Sequence, residues 1–351
     1  MEEKINPLKQ SRWKLYLTIV TFIALVGLVY GLRDQIGGVI SNLGQVNALA
    51  LLLLIPIQIL NNDAYARLYR SLFKTLGKTV SYAAMFKMTM ELKFVNNIFP
   101  SGGISGVSYF SVRARSQNVT ASQATLTQVM KFMLVFVSFQ PLLVLGLFFL
   151  AARGHANDLV MVVASSLITL LIVGTFVGLY ILDSKSRIST FLTFVTKGLN
   201  KLVHIVRPKY PETISIKRAQ ASFVELHENY KILKKNWRSL KMPFVYTFFA
   251  NTTEVAALYV VYLAFGELVN VGAIILAYAV ANFAGLISVL PAGIGIYEGL
   301  MTAVLVATGI PARLSIPVTV MFRVLTMFIQ LVPGYILYSR ALNGRGLAAK
   351  R

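Results

Sequence analysis

Two short Pro-Gly stretches interrupt apolar segments of this sequence, and polar residues lie close to both. The first break is FPSGG at residues 99–103, and the second is LPAGIG at residues 290–295. Proline removes a backbone donor and glycine relaxes the φ/ψ limits, so each stretch predicts a broken helix. A helix N-terminus that follows such a break favours an anionic group, for example a lipid phosphate. The pattern therefore predicts binding of an anionic group at two broken helices.

Further polar residues flank these breaks or lie within other apolar segments. An ionisable side chain inside a bilayer costs roughly 3 kcal/mol on insertion scales, and it usually faces a partner or an aqueous cavity. Snorkelling of a long basic stem is the simpler explanation for Lys131 and is an alternative for Lys93. It suits Glu254 and Arg323 less well because they lie deep in their segments. The predicted substrate-binding residues are Asn96, Asn97, Pro100, Ser101, Gly102, Gly103, Asn282, Pro291, Gly293, Gly295, Glu298 and Arg323, and the predicted coupling or charge-compensating residues are Glu91, Lys131 and Glu254.

The composition predicts that these residues are held inside a membrane. The chain has 351 residues, of which 56% are hydrophobic and 13% are charged, too few polar residues to coat a soluble domain of this size. It has no cysteine and three scattered histidines, so disulfides, thiolate catalysis and a Cys or His metal site are not expected. No P-loop motif is present in the sequence. We therefore expect no metal, no cofactor and no direct use of ATP.

Apolar runs of membrane-spanning length recur along the chain. A hydrocarbon core about 30 Å thick requires roughly 20 helical residues. The run after Lys14 is too long for a signal peptide and lacks a small-residue cleavage site, which favours a first transmembrane helix. The predicted fold is an all-α polytopic integral membrane protein, with about seven or eight transmembrane helices and one or two re-entrant helical hairpins. The apolar runs are 15–31, 48–60, 126–151, 159–182, 243–265, 271–290, 297–310 and 315–339.

The formal net charge of +21 is explained by membrane topology. Cytoplasmic loops carry an excess of Lys and Arg. Most of the 34 basic residues fall on one side of the membrane when residues 82–109 enter and leave it on the same side. This distribution predicts that both termini are cytoplasmic. It also accounts for the charge without nucleic-acid binding, which is not expected.

The two breaks together predict an inverted repeat. Their prolines lie 191 residues apart, and the hairpins around them open toward opposite sides in the predicted topology. Matching breaks of opposed direction are typical of transporters with a midplane site; ordinary turns between helices are the alternative. The predicted domains are a first membrane half over 1–182 with its break near 95–110, a basic cytoplasmic segment over 183–241, and a second half over 242–351 with its break near 290–299.

The basic segment over 183–241 contains an apolar helical stripe. Apolar residues recur at steps of three and four between Ile216 and Leu240, with basic residues largely elsewhere around the helix. Residues 188–206 favour another amphipathic helix. One interpretation places both helices on the anionic inner leaflet, where each basic residue contributes about 1 kcal/mol. The other packs the two helices against each other in the cytoplasm, and both interpretations are open at this point.

At its breaks the sequence resembles a known family, the membrane region of lysylphosphatidylglycerol synthase/flippase proteins and their stand-alone relatives. The family pattern has a Pro-x-Gly-Gly-like break in the first half and a Leu-Pro-Gly-Gly-Leu-Gly-x-x-Glu-like break in the second, which here is LPAGIGIYE at 290–298. The likeness covers nearly the whole chain in layout. Tyr297 stands where many members have Arg, and Ala292 where many have Gly. A Gly-Glu-x-x-Arg-like continuation after the first break is missing, with Arg113 and Arg115 the nearest basic residues.

The resemblance implies movement of lipids between the leaflets of a prokaryotic plasma membrane. The leading hypothesis is a flippase for an anionic phospholipid or a polyprenyl-phosphate-type lipid, with membrane lipids as partners and a homo-oligomer as one option. The chain ends shortly after its last predicted helix, so the aminoacyltransferase domain of the two-part members, and its enzyme activity, are not expected. The alternatives are a membrane accessory or enzyme acting on lipid-linked substrates, and a scaffold for a separate synthase.

Overall fold

Regular secondary structure is helical throughout the part of the chain that a computed structural model describes. That part comprises residues 23–44, 46–99, 104–152, 157–191, 216–287 and 293–343, together with residues 21, 154, 193 and 194, and it contains no strand. The helices are α1 (Ile23–Gly31), α2 (Arg33–Leu43), α3 (Ala48–Leu52), α4 (Leu54–Thr75), α5 (Tyr82–Ile98), α6 (Ile104–Ala114), α7 (Ala121–Ala152), α8 (Asp158–Leu182), α9 (185–191), α10 (Ile216–Lys235), α11 (Lys241–Ala264), α12 (Val271–Ile287), α13 (Ile296–Ala307) and α14 (Ala312–Asn343).

Several of these helices are long and apolar enough to cross a membrane. Within the described ranges there are five: α3 with α4 as one 28-residue unit, α7, α8, the unit that ends in α11, and α14. The pair α1 and α2, bent by 56° where they meet, would make a sixth. The predicted all-α polytopic membrane fold is confirmed. The predicted number of about seven or eight spans is reached only when the shorter apolar helices α12 and α13 are counted as well.

The helices around the two breaks match in order and length. α5 and α12 each have 17 residues, α6 has 11 and α13 has 12, and α7 and α14 each have 32. The preceding helices α4 and α11 have 22 and 24. α7 begins at Ala121 and α14 at Ala312, the same 191 residues apart as Pro100 and Pro291. The chain therefore contains two repeats, α4–α7 and α11–α14.

The two repeats run through the protein in opposite directions. Their first helices, α4 and α11, are equivalent and lie antiparallel. Asn47, ahead of α4, donates its backbone N–H to the carbonyl of Ala264 at the end of α11, at 2.8 Å. Thr75 at the end of α4 donates its hydroxyl to Ser239, just before α11, at 3.0 Å. Equivalent helices that run antiparallel make the repeat inverted, as the two breaks predict.

The first hairpin, α5 and α6, enters and leaves the bundle at one end. Val80 before α5 and Val119 after α6 are buried in the same cluster as Phe73, near the end of α4. We call this end of the bundle, which contains Val80 and Val119, the basic end. The break between the two limbs therefore lies inside the bundle.

The second hairpin, α12 and α13, enters and leaves at the opposite end. Asn270 before α12 donates its side-chain amide to the carbonyl of Phe149, near the end of α7, at 3.0 Å. Asn157, just before α8, donates to the carbonyl of Ala307 at the end of α13, also at 3.0 Å. α13 has 12 residues, which extend about 18 Å and do not cross a core of about 30 Å. This segment, which the sequence left open between a full crossing and a re-entrant limb, is re-entrant.

The first limb of each hairpin packs against the last helix of the other repeat, and glycines allow the close approach. A Cβ on Gly272 of α12 would lie 2.2 Å from the carbonyl oxygen of Gly146 in α7. A Cβ on Gly334 of α14 would lie 2.7 Å from Cβ of Phe94 in α5. Neither side chain could be added without moving a helix. The two repeats are thus joined by a symmetric exchange of contacts.

Helix α10 lies across the basic end. Its apolar residues Leu226, Tyr230 and Leu233 are buried in one cluster with Ile188 of α9 and Leu182 of α8. The part of the predicted stripe from Leu226 to Leu233 therefore faces the protein, whereas Trp237 is 62% exposed. The helix predicted over 188–206 can be followed only to residue 194, because residues 195–215 lie outside the described residues.

Candidate functional site

The first hairpin holds a buried acid between its two limbs. Glu91 of α5 is 2% exposed and accepts a hydrogen bond at 2.8 Å from the Tyr109 hydroxyl of α6. The same oxygen accepts one at 2.9 Å from Arg113 Nε, also of α6. A buried acid of this kind is stable only when its charge is paired and hydrogen-bonded. The ion pair therefore fixes the two limbs of the hairpin to each other.

Asn96 reinforces this contact between limbs. Its side chain lies so close to Gly106 that a Cβ there would approach Asn96 Oδ1 to 1.9 Å. Asn96 Oδ1 is buried and receives no hydrogen bond. The amide thus sits against the backbone of α6, one turn before the first break.

The second hairpin places its acid at the break itself. Gly295 has a φ of +86°, a conformation that glycine adopts easily. Its backbone N–H donates to Glu298 Oε2 at 2.7 Å, which caps the first turn of α13. The other carboxylate oxygen accepts from Arg323 Nε of α14 at 3.1 Å, and the Arg323 guanidinium lies 4.1 Å from the centre of the Tyr297 ring. Glu298 thus ties the second break to α14.

The two breaks approach each other inside the bundle. Ile98 at the end of α5 belongs to a buried cluster that also includes Met327 of α14. Phe99 of the first break and Ile294 of the second both pack against this cluster. The described residues Phe99 and Ile294, one beside each break, therefore pack against one cluster that joins α5 of the first repeat to α14 of the second.

A chain of hydrogen bonds runs from the first break across both repeats. Asn97 Nδ2 lies 3.4 Å from Gln330 Oε1 of α14. Gln330 donates to Gln58 of α4 at 2.9 Å, and Gln58 Nε2 lies 3.5 Å from Glu254 Oε2 of α11. These four residues come from four helices, two in each repeat. We refer to them as the polar network.

Lys93 lies beside this network. Its Nζ donates to Asn61 Oδ1 of α4 at 2.7 Å. The amide nitrogen of Asn61 donates in turn to Thr253 Oγ1 of α11 at 2.9 Å and to the carbonyl of Ala250 at 3.0 Å. Lys93 therefore rests on a neutral amide at the contact between α4 and α11.

Lys131 of α7 lies beside the same aromatic ring as Lys93. The amines of Lys93 and Lys131 lie 5.8 Å and 5.6 Å from the centre of the Tyr65 ring, and that of Lys131 lies 4.1 Å from the Phe132 ring. Cations are attracted to such ring faces. Neither lysine forms an ion pair with a carboxylate in the part of the chain that the structure describes. We call Lys93, Lys131 and Tyr65 the lysine site.

The structure brings together only part of the predicted site. Asn97, Glu254, Glu298 and Arg323 line the interface between the repeats, whereas Glu91 and Asn96 are used within the first hairpin. Asn282 of α12 is half-buried and makes no hydrogen bond to a described residue. Gly293 and Gly295 both have positive φ at the second break. The remaining predicted residues, Pro100, Ser101, Gly102, Gly103 and Pro291, lie outside the described residues.

Sequence reasoning missed the amides of α4 and α14. Gln58, Asn61 and Tyr65 follow steps of three and four and so share one face of α4, a signal that is visible in the sequence. Gln330 is a single amide in an apolar helix, and nothing near it in the sequence marks it. The sequence prediction included amides only near the two breaks, although in hydrocarbon any amide needs a partner, as a charged group does.

Comparison with known families matches residues 15–334 to the family described as the lysylphosphatidylglycerol synthase TM region. The chain belongs to this family. The match spans both hairpins and all four helices of the polar network, so the site is built from family elements. It also supports a multi-pass membrane protein.

Three relatives are stand-alone membrane proteins of archaea. UPF0104 membrane protein PH1989 of Pyrococcus horikoshii is 23% identical over 332 residues, which cover 92% of this chain and 96% of the relative. UPF0104 membrane protein MJ1595 of Methanocaldococcus jannaschii is 23% identical over 329 residues, 92% and 91% of the two chains. A UPF0104 membrane protein of Methanothermobacter thermautotrophicus is 30% identical over 104 residues, 30% and 31% of the two chains.

Proposed function

We propose that this protein moves a lipid with an anionic head group between the two leaflets of a cell membrane. The observation that carries the proposal is the lysine site. Two half-buried lysines on α5 and α7 face one tyrosine ring of α4, beside the contact that Asn61 makes with α11 of the other repeat. Neither lysine is paired with a described carboxylate. The head group would pass between them.

The physical argument concerns the missing counter-charge. A lysine within a membrane segment costs roughly 3 kcal/mol, and it marks a functional site when no snorkelling path or partner accounts for it. Lys93 is held by Asn61 and the Tyr65 ring, and Lys131 by two aromatic rings. These direct partners are neutral, and Glu254, which lies within electrostatic range of Lys93, forms no ion pair with it among the described residues. A phosphate that arrives between the two lysines would supply the missing anion.

Transport further requires the site to face each leaflet in turn. Inverted repeats that rock against each other around a fixed site provide such alternation. The polar network crosses the plane on which the repeats would move, since it joins α4 and α5 of one repeat to α11 and α14 of the other. Its amides are both donors and acceptors, so they can exchange partners as the helices shift. Glu254, at the end of this network, is the residue we assign to charge compensation.

The orientation follows from charge. The basic end carries α10 with the exposed residues Lys231, Lys234 and Lys235 and the start of α11 with Lys241. Because cytoplasmic segments are enriched in Lys and Arg, we place this end in the cytoplasm and the second hairpin on the outer side. The first break would then be reached from the inner leaflet.

The test is lipid movement in vesicles that contain the purified chain. Fluorescent phosphatidylglycerol should cross faster than fluorescent phosphatidylcholine, measured by the fraction that an impermeant reductant quenches over time. We expect Lys93→Gln combined with Lys131→Gln to slow phosphatidylglycerol at least tenfold, because the head group loses both cations. Lys87→Gln is the matched control, since Lys87 lies on the same helix but is exposed.

Two results would overturn the proposal. One is a wild-type rate no greater than that of protein-free vesicles, in either direction and with a pH gradient of either sign. The other is a double lysine variant that folds and transports like the Lys87→Gln control.

A further inference from the structure

An apolar groove lies between the N-terminal helices and α14. It has a volume of about 240 Å³, and every residue that lines it is apolar or aromatic. The buried residues Leu28, Leu32 and Met327 form its floor. Its mouth is open to the surroundings at Val29 and Val332, which are 52% and 56% exposed. In a membrane this mouth faces hydrocarbon.

The floor of the groove is continuous with the two breaks. Leu28, Leu32 and Met327 belong to the same buried cluster as Ile98, against which Phe99 and Ile294 pack. The lining residue Val324 also follows Arg323, which pairs with Glu298 at the second break. The groove therefore runs from the lipid-facing surface to the place where the breaks meet.

The outer wall of the groove is the bent N-terminal pair. α1 and α2 meet at an angle of 56°, and α2 packs mainly on α14. Tyr30 and Ile40 are 66% and 65% exposed on the outer side. The buried residue Leu28 of α1 shares a cluster with Ile98 of α5 and Met327 of α14, so the wall is anchored at its inner side and open at its outer side.

We infer that the groove binds an acyl chain of the transported glycerophospholipid while its head group occupies the site between the repeats. The inference rests on the proposed function. A lipid whose head group enters the interface still has to keep its chains in an apolar environment, because exposing a chain to polar surroundings costs about 0.8 kcal/mol per methylene. The groove supplies a carbon-lined path from the breaks to the bilayer. The arginine–glutamate pair at its inner side offers a cation near the glycerol end of the lipid.

The experiment fills the groove and leaves the rest of the protein unchanged. Val29→Trp places a large ring in the mouth. Val26→Trp is the matched control, because Val26 lies on the same helix, is also 52% exposed and does not line the groove. Each variant is placed in phosphatidylcholine vesicles that contain a small fraction of a phosphatidylglycerol analogue with a photoreactive diazirine on one acyl chain. Labelled peptides are located by mass spectrometry, and lipid movement is measured in parallel.

In the wild type we expect labelling of Val324, Phe328 and Val332 that excess unlabelled phosphatidylglycerol reduces. Val29→Trp should lower both this labelling and the transport rate at least fivefold, and Val26→Trp should change neither by more than twofold. Transport that Val29→Trp leaves intact, while the double lysine variant abolishes it, would overturn the groove and keep the proposed function. Labelling that unlabelled lipid does not reduce would mean a permanently bound structural lipid and would also overturn the groove. If the wild type moves no lipid, the proposed function itself fails.

Discussion

The two hairpins have the same architecture but secure their buried acids differently. In the first, Glu91 pairs with Arg113 across the two limbs of one hairpin. In the second, Glu298 caps the start of one limb and pairs with Arg323 on the next long helix. An ion pair inside a hairpin survives when the hairpin moves as a unit, whereas a pair to a neighbouring helix must move with that helix. The first hairpin is thus closed on itself by its acid, whereas the second is tied by its acid to α14.

The largest effect is expected from removing the acid of the second hairpin. Glu298→Ala removes the ion pair to Arg323 and the cap of α13, which together should cost about 3–5 kcal/mol of unfolding free energy. The measurement is reversible unfolding in mixed micelles. Adding Arg323→Met should recover part of the loss, because the guanidinium that lost this carboxylate is then removed. A single variant as stable as the wild type would contradict the assigned anchoring of the second break.

A smaller effect is expected from the acid of the first hairpin. Glu91→Gln keeps an acceptor for the Tyr109 hydroxyl, and Arg113 can turn toward Ser116, with which it already forms a 2.7 Å hydrogen bond at an exposed position. We expect a loss of about 2 kcal/mol in the same unfolding assay. The transport rate should fall further than the loss of unfolding free energy alone explains, since the two limbs of the hairpin no longer move together. Equal losses for Glu91→Gln and Glu298→Ala would remove the distinction between the hairpins.

The smallest effect is expected on the stability of α10. This helix covers the basic end of the bundle, where the first hairpin enters and the second does not. The hydrogen bond from Lys234 lowers the pKa of Asp183 below its ordinary value, and that from Lys185 lowers the pKa of Glu228. A depressed carboxyl pKa adds stability above the ordinary values of about 4, and that stability is lost as pH falls through the folded-state pKa. The protection factors of α10 amides, which are exchange rates corrected for the intrinsic pH dependence, should therefore fall slightly on acidification below about pH 4. Asp183→Asn with Glu228→Gln should abolish this fall. Exchange at the first-hairpin limbs serves as the internal control.

The sequence predicted the framework of this protein because that framework depends on local properties. Apolar runs of sufficient length specify helices in a membrane. The Pro and Gly residues at 99–103 and 290–295 mark where those helices stop. The re-entrant direction of the first hairpin followed from the side on which its basic residues fell. Glu254, Glu298 and Arg323 were recognisable because a charge in an apolar run is rare whatever surrounds it.

Only the tertiary structure decided which polar side chains pair with one another. Gln330 donates a hydrogen bond to Gln58, which lies 272 positions away in the chain. Asn97 donates a hydrogen bond to Gln330, which lies 233 positions away. The sequence assigned Glu91 to coupling and Asn96 to substrate binding, whereas the fold uses Glu91 to close a hairpin and sets Asn96 against Gly106. It treated Lys131 as a snorkelling residue, and the structure places it beside the ring that Lys93 also faces. Such contacts depend on the rotation and depth of each helix, and these are set by how many helices pack together, a property that no single segment contains.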